Sequence, residues 1–323
     1  MSRRSSGRAS CSTSMTDSWF TRFLLVLCLV LLADGCGSAP EAVPPPDIDA
    51  ANAFRLVGEI CDIGPRPSGS DGGARTAQYI VDTATAYGYE PIQDTWTERT
   101  ARGSVEFTNI TAELGGGGGD ESLIIIGTHF DTKILAGTAA FVGANDGASS
   151  TALVLELMRA LKETSAAGRS TVRFAFFDGE EAFGQYSDSD GLHGSRRMAR
   201  QLQESGRHRQ CRAMILLDMV GDKDLTVTIS PTDSRELRTK LFYIAEQQGT
   251  RKYFGYFMKG SILDDHIPFS RLGIPVLDII DFKYGPNNSY WHTDQDTIDK
   301  LSADSLAIVG NAVIALICEL NSE

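Results

Sequence analysis

The sequence predicts an α/β fold on a largely parallel sheet covered by helices on both faces, and three observations carry that expectation. Short, β-branched-rich apolar runs alternate with stretches of helical periodicity. No internal repeat or second linker interrupts the alternation from about Ala50 to Glu323, which predicts one domain. Acids and histidines recur just after the apolar runs, where open α/β sheets bind their ligands. The runs Leu123–Gly127 (LIIIG), Val172–Phe177 (VRFAFF), Ala213–Asp218 (AMILLD) and Ile274–Ile280 (IPVLDII) are bounded by turn residues and read as buried strands. Apolar spacing predicts helices over Thr76–Tyr87, Ser149–Leu161, Ser195–Glu204, Ser234–Gln248 and Ser302–Leu320. The Gly115–Gly119 run reads as a loop or hairpin tip.

With 323 residues, 42% of them apolar, the chain is long enough to bury a substantial core. Its net charge is −12; the first 36 residues hold four arginines against two aspartates, so the rest carries −14. A domain this acidic has no footprint for a polyanion, which excludes nucleic acid as its main partner.

Phe23–Ala33 (FLLVLCLVLLA) is an unbroken apolar run of eleven, too short to span a bilayer and suited to the core of a secretory signal. Arginines precede it, and Met15 offers a second start nearer the run. Leu32-Ala33-Asp34-Gly35-Cys36 resembles a bacterial lipoprotein signal, in which Cys36 becomes the lipidated first residue. The alternative is a plain cleaved signal with an incidental cysteine. The expected organisation is thus a signal over 1–36, a Pro-rich tether over 37–49 and a catalytic domain over 50–323. The domain would be exported, to the periplasm or cell envelope, touching a membrane only through that lipid anchor. Cys61, Cys211 and Cys318 remain, widely spaced and odd in number, so neither a disulfide framework nor a thiolate metal site is expected.

An acid after a strand usually caps a helix or forms a turn, and a single histidine is usually solvated. Here the acids and histidines come together. The first strand ends in Thr128-His129-Phe130-Asp131, the second in Asp178-Gly179-Glu180-Glu181 and the third in Asp218; the fourth leads to Tyr290-Trp291-His292-Thr293. Asp146 sits in Gly143-Ala144-Asn145-Asp146-Gly147 ahead of a helix. His193 and His208 lie in polar stretches and read as surface residues. The adjacent Glu180-Glu181 would repel each other beside further acids unless a cation or proton is shared. Carboxylates with imidazoles and no thiolates suit Zn²⁺ in an open coordination sphere. Asp131 is placed to fix the His129 ring, and Glu180, beside a ligand, is the natural proton shuttle.

His129-Phe130-Asp131, Asn145-Asp146-Gly147, Glu180-Glu181, Asp218, Asp264-Asp265-His266 and Trp291-His292-Thr293 resemble the motifs of the zinc-dependent M28 peptidase family. The likeness runs from Gly64-Pro65-Arg66-Pro67 to the C-terminal helix. It implies an aminopeptidase-like three-layer α/β/α sandwich with a mixed, mainly parallel sheet. The family holds two chemistries. Phe176-Phe177-Asp178-Gly179-Glu180-Glu181-Ala182-Phe183, Gly191-Leu192-His193-Gly194-Ser195 and Asp264-Asp265-His266-Ile267-Pro268-Phe269 look most like its glutaminyl-peptide cyclotransferases, which hold one zinc. That branch implies Asp146, Glu181 and His292 on one Zn²⁺, and Glu180 as proton shuttle in a hydrogen-bond network with Asp218 and Asp264. It also implies Trp291 and Tyr186 lining an apolar slot for the N-termini of peptides or proteins. Animal cyclases have Trp where this chain has Tyr186, and His where it has Asp278. The aminopeptidase branch implies two zinc ions bridged by Asp146, with His129 and Asp218 serving the second. A non-catalytic binding domain is a third reading, disfavoured because no ligand is replaced.

Overall fold

A computed structural model describes residues 45–115, 122–137, 141–163, 169–187, 189–257 and 260–322. The expected signal with its lipidation site at Cys36, the tether up to residue 44 and residues 116–119 of the glycine run lie outside the described residues. In order, the elements are α1 (Ala50–Ile63), α2 (Asp71–Ala86), β1 (Ile92–Thr100), β2 (Gly103–Leu114), β3 (Leu123–His129), α3 (Ser150–Glu163), β4 (Thr171–Phe177) and α4 (His193–Glu204). They continue with β5 (Cys211–Asp218), β6 (Val227–Ile229), α5 (Arg235–Gln247), β7 (Phe254–Tyr256), α6 (Ile267–Ser270), β8 (Val276–Ile280) and α7 (Ala303–Ser322).

Six strands form one sheet in the order β1-β2-β4-β3-β5-β8. The four strands read from the sequence are its parallel centre, and β2 runs antiparallel to both of its neighbours. Every residue of β3 and β8 is buried, as strands covered on both faces must be. Side-chain alternation sorts the strands between two cores. Ile124, Ile126, Phe174, Phe176, Ile215 and Leu217 face one side with α1, α2, α3, α5 and α7. Ile125, Phe177, Met214 and Leu216 face the other, with Met198 and Leu202 of α4 and Phe269 of α6. This is the expected three-layer, mainly parallel sandwich. Helix α7 has the length and apolarity to cross a membrane, but here it is a core helix, with Leu306, Val309, Val313 and Ile317 fully buried.

Three departures from the sequence expectations have physical reasons. Strand β1 gave no apolar alternation because its half-buried face carries Asp94, Trp96 and Glu98. That face is covered by α4: Arg197 makes two 2.6 Å bonds to Asp94, and its guanidinium lies 4.6 Å from the Trp96 ring. Helix α1 does bury Ala53, Leu56, Val57 and Ile60 at helical spacing, and Asp49 caps it by accepting from Asn52 N at 3.0 Å. The expected tether therefore ends earlier, since Ile48 is buried and donates its N–H to Asn311. Finally, His193 is not a surface residue. It is buried, stacked 4.5 Å from Phe107, with Nδ1 2.7 Å from Glu98 Oε2. The three cysteines are unpaired and burial raises their thiols, Cys61 and Cys211 to about 11, so they are inert at neutral pH.

Candidate active site

The parallel strands β3, β4, β5 and β8 all end on one side of the sheet, and the turns that follow them build a single acidic site. His129 closes β3, Glu180 and Glu181 follow β4, Asp218 closes β5, and His292 arrives on the loop after β8. Asp146 comes from a kinked turn, Ala144–Ser149, leading into α3. Glycine is needed there: Gly147 has φ +93°, and a Cβ on it would stand 2.9 Å from Asp131 O and 3.2 Å from His129 Cε1. Only a bare backbone lets this turn press Asp146 against the end of β3.

The Asp146 carboxylate faces two ways. Its Oδ1 lies 3.3 Å from His129 Nε2, which is itself 3.2 Å from Asp218 Oδ1. Its Oδ2 lies 3.2 Å from His292 Nε2, which is 3.0 Å from Glu181 Oε1. Two sets therefore offer ligand atoms at metal-site spacing, His129/Asp146/Asp218 and Asp146/Glu181/His292, sharing Asp146. Burial acts to lower the His292 imidazole, but its bonds to Asp146 and Glu181 outweigh that and push it up to about 10. Burial acts to raise Asp146, but its contacts with His129 and His292 outweigh that and hold it well below the carboxylate range. Buried and beside Glu181, Glu180 is pushed well above it; burial also raises Asp218, and burial with Asp218 nearby raises Asp264 strongly.

Asp131, expected to fix the His129 ring, holds a turn instead, and Asp296, Arg66 and Lys133, which the sequence did not single out as site residues, hold the rest of this geometry. Asp131 Oδ1 and Oδ2 accept the N–H groups of Glu180 and Glu181 at 3.1 and 3.2 Å, fixing the turn that carries both acids. Its Oδ1 is 3.5 Å from His129 Nδ1, an ion-pair distance rather than the expected hydrogen bond. Asp296 does the same for the other turn, accepting from Asn145 N at 2.7 Å and Asp146 N at 3.1 Å, with Tyr284 Oη donating to it at 2.7 Å. Fully buried Arg66 donates to the carbonyls of Phe130, Val142 and Gly143, tying the exit of β3 to the Asp146 turn. Lys133 Nζ donates to Glu181 Oε2 at 3.1 Å and to Ala182 O at 2.9 Å. An arginine in a proline-rich turn, a lysine after a strand and an acid near a C-terminal helix are common, so only the folded chain singles these out.

Beside the acids lies a cavity of about 270 Å³. Asp146, Glu180, Asp218, Asp264, His292 and Tyr186 form its polar side, and Phe257, Ile262, Ile280, Phe282 and Trp291 its apolar side. Trp291 stacks on His292 with ring centroids 4.0 Å apart and leans on Phe282 at 5.0 Å. The network expected between Glu180, Asp218 and Asp264 is corrected in one respect: among the described residues no hydrogen bond joins the three. Asp264 Oδ1 accepts from Asp265 N, its Oδ2 is buried without a partner, and Glu180 instead bonds Tyr186. Asp278 is fully buried in β8 with both oxygens unpartnered, and its Oδ2 lies 3.6 Å from His266 Nδ1.

Residues 109–317 match the model of peptidase family M28. The chain belongs to the M28 family. Among M28 relatives, it is 27% identical over 271 residues to a glutaminyl-peptide cyclotransferase of Drosophila melanogaster, covering 76% of this chain and 75% of that protein. It is 32% identical over 258 residues to a glutaminyl-peptide cyclotransferase-like protein of Bos taurus, covering 72% of this chain and 66% of that one. An Acidobacteriales bacterium glutaminyl cyclase structure superposes with a TM-score of 0.82 at 33% identity, covering 88% of this chain and 99% of that one. The residues fit a resident metal of this M28 fold: imidazole and carboxylate ligands converge, and buried Asp146 Oδ2 faces only the His292 imidazole, itself a metal-ligand type.

The surplus of buried acid has a consequence for stability. Burial raises Asp233 to about 6, and Asp265 and Asp281 to about 7, each above its unfolded value. A raised carboxyl contributes stability that is complete below the unfolded pKa near 4 and is lost as pH rises through the folded one. Asp94 and Glu98, held low by Arg197 and by His193, act oppositely only at about pH 4 and below, while buried His266, lowered to about 4, opposes within the interval and offsets part of the loss. The metal-free protein is therefore expected to melt on the order of 5 °C lower at pH 7 than at pH 5. A melting temperature that is flat or rising across that interval would contradict the assignment.

Proposed function

We propose that this M28 chain is a zinc-dependent glutaminyl-peptide cyclotransferase, converting an N-terminal glutamine to pyroglutamate with release of ammonia. The observation that carries the reading is one cavity. The Asp146/Glu181/His292 set, Glu180 and Asp264 meet an aromatic wall there, in a chain that resembles glutaminyl cyclases over most of its length. Asp146, Glu181 and His292 hold the Zn²⁺, which when bound supplies Lewis acidity at the γ-carbonyl oxygen of the substrate. Trp291 and Phe282 receive the aliphatic part of the glutamine and turn its α-amine toward its own carboxamide carbon, Cδ, so the wall contributes mainly orientation. As the C–N bond closes, Glu180 takes a proton from the amine. It returns that proton to the departing amide nitrogen, and ammonia leaves as the old C–N bond breaks. Asp264 stands at the cavity wall with Oδ2 unpartnered, and burial beside Asp218 favours its neutral form, which can donate to substrate.

One observation favours a second reading. The His129/Asp146/Asp218 set also has metal-site spacing, and two metals bridged by Asp146 describe an aminopeptidase. Glu180 would then take its proton from water. Mass spectrometry of a Gln-initiated and a Leu-initiated peptide, each incubated with the zinc-loaded protein, separates the two. Loss of ammonia from the intact Gln peptide alone is expected. Release of a free N-terminal residue from either peptide would replace the cyclase reading with the second one.

A further inference from the structure

The side chain that faces the two adjacent glutamates carries more than an aromatic ring. Tyr186 Oη lies 3.0 and 2.9 Å from the two oxygens of Glu180, and 3.2 Å from Glu181 Oε2. Glu180 is 6% exposed, and burial disfavours a carboxyl without hydrogen-bond partners. The segment that delivers this hydroxyl is tightly built. Asp190 accepts from Phe183 N and Gly184 N at 2.8 Å, closing the turn. Leu192 N donates to Glu180 O at 3.0 Å and His193 N to Gly179 O at 2.8 Å, returning the chain to the start of α4. Gly191, at φ +84°, lies under the ring, where a Cβ would come within 2.6 Å of Tyr186 Cδ1. The Lys133 ammonium stands 5.1 Å from the centre of the same ring. Backbone, carboxylate turn, glycine and cation together fix one Tyr186 position, with the hydroxyl on Glu180.

We infer that Tyr186 is a positioning residue for Glu180, acting through its hydroxyl as well as lining the slot with its ring. The bond holds the Glu180 carboxylate at the cavity wall, and Glu180 is a member of neither ligand set. This keeps Glu180 available for protons while Glu181, one residue on, is turned to the metal. A tryptophan at this position would keep an aromatic wall without the phenol. The inference rests on the Proposed function only for naming the reaction in which Glu180 moves its proton.

The test is a cycle of four proteins: the unsubstituted chain, Tyr186→Phe, Glu180→Gln and the double variant, all zinc-loaded. Tyr186→Phe is expected to lower kcat about 10- to 100-fold, the cost of a misplaced reacting group, with KM and zinc content unchanged. In the Glu180→Gln background the same change should have little further effect on kcat, because it acts through that carboxylate. A rise in KM with kcat preserved would make Tyr186 only a wall, and full additivity of the two losses would equally overturn the inference. If the product is a released residue instead of pyroglutamate, the functional reading falls, while the cycle is still read on that release. Thermal unfolding in the metal-free state needs no turnover, and there Glu180→Ala, which removes both acceptor oxygens, replaces Glu180→Gln in the cycle. Non-additive shifts in melting temperature are expected from a shared Glu180–Tyr186 bond, and additive shifts would also overturn it.

Discussion

Glu180→Gln is expected to lower turnover by about 10²–10⁴ while leaving zinc content and KM close to those of the unsubstituted chain. The side chains are nearly the same size, so the cavity keeps its shape and Tyr186 can still donate to the amide oxygen. What is lost is a group that can take a proton and give it back. Glu180 suits that work because burial and its neighbour Glu181 hold it well above the usual carboxylate range, making it a stronger base than a solvated carboxylate. It belongs to neither ligand set, so metal retention separates this role from that of Glu181. Steady-state kinetics on a Gln-initiated peptide, beside metal analysis of the same sample, decides it. Turnover equal to that of the unsubstituted chain would remove Glu180 from the mechanism.

Asp146→Ala is expected to be the more damaging change, costing at least about a hundredfold in zinc affinity and, with the metal, nearly all turnover. Residues that merely orient a ligand typically cost 10- to 100-fold, so losing a ligand sets a floor near the top of that range. The geometry makes the loss double, because each Asp146 oxygen faces a different histidine, at 3.3 and 3.2 Å. The backbone of the turn should survive, since Asp296 and Arg66 grip main-chain atoms that alanine retains. Folding can therefore be checked by circular dichroism while chelator competition reads the zinc affinity. Unchanged affinity in a folded variant would mean that the metal is held elsewhere.

Much of the sheet and the candidate site can be read from the chain because their signals are local. Four apolar runs mark the parallel strands, and the acids and His129 stand within a few residues of the ends of the first three, while His292 follows the fourth after a longer loop. A buried parallel strand has to be apolar along its length, and its ligand-bearing turn has to follow it, so a place after such a run gives a place at the carboxyl end of the sheet. The polar strand β1 escapes such reading because its half-buried face is matched by Arg197 of α4, a partner 103 residues away from Asp94. His193 was misread for a related reason: its neighbours in sequence are polar, but Phe107 and Glu98, which cover it, come from other strands.

The sequence by itself determined the layer architecture, the direction of the central strands and the donor types gathered at their carboxyl ends, because periodicity and strand-end position are properties of contiguous residues. Only the tertiary structure decided that Asp146 presents one oxygen to each histidine, that Asp296 reaches back 151 residues to hold Asn145 N, and that the Tyr186 hydroxyl rests on Glu180 instead of pointing at solvent. These contacts depend on loop conformations that no periodic pattern encodes. They are fixed when strands from distant parts of the chain pair and bring their turns within hydrogen-bond reach.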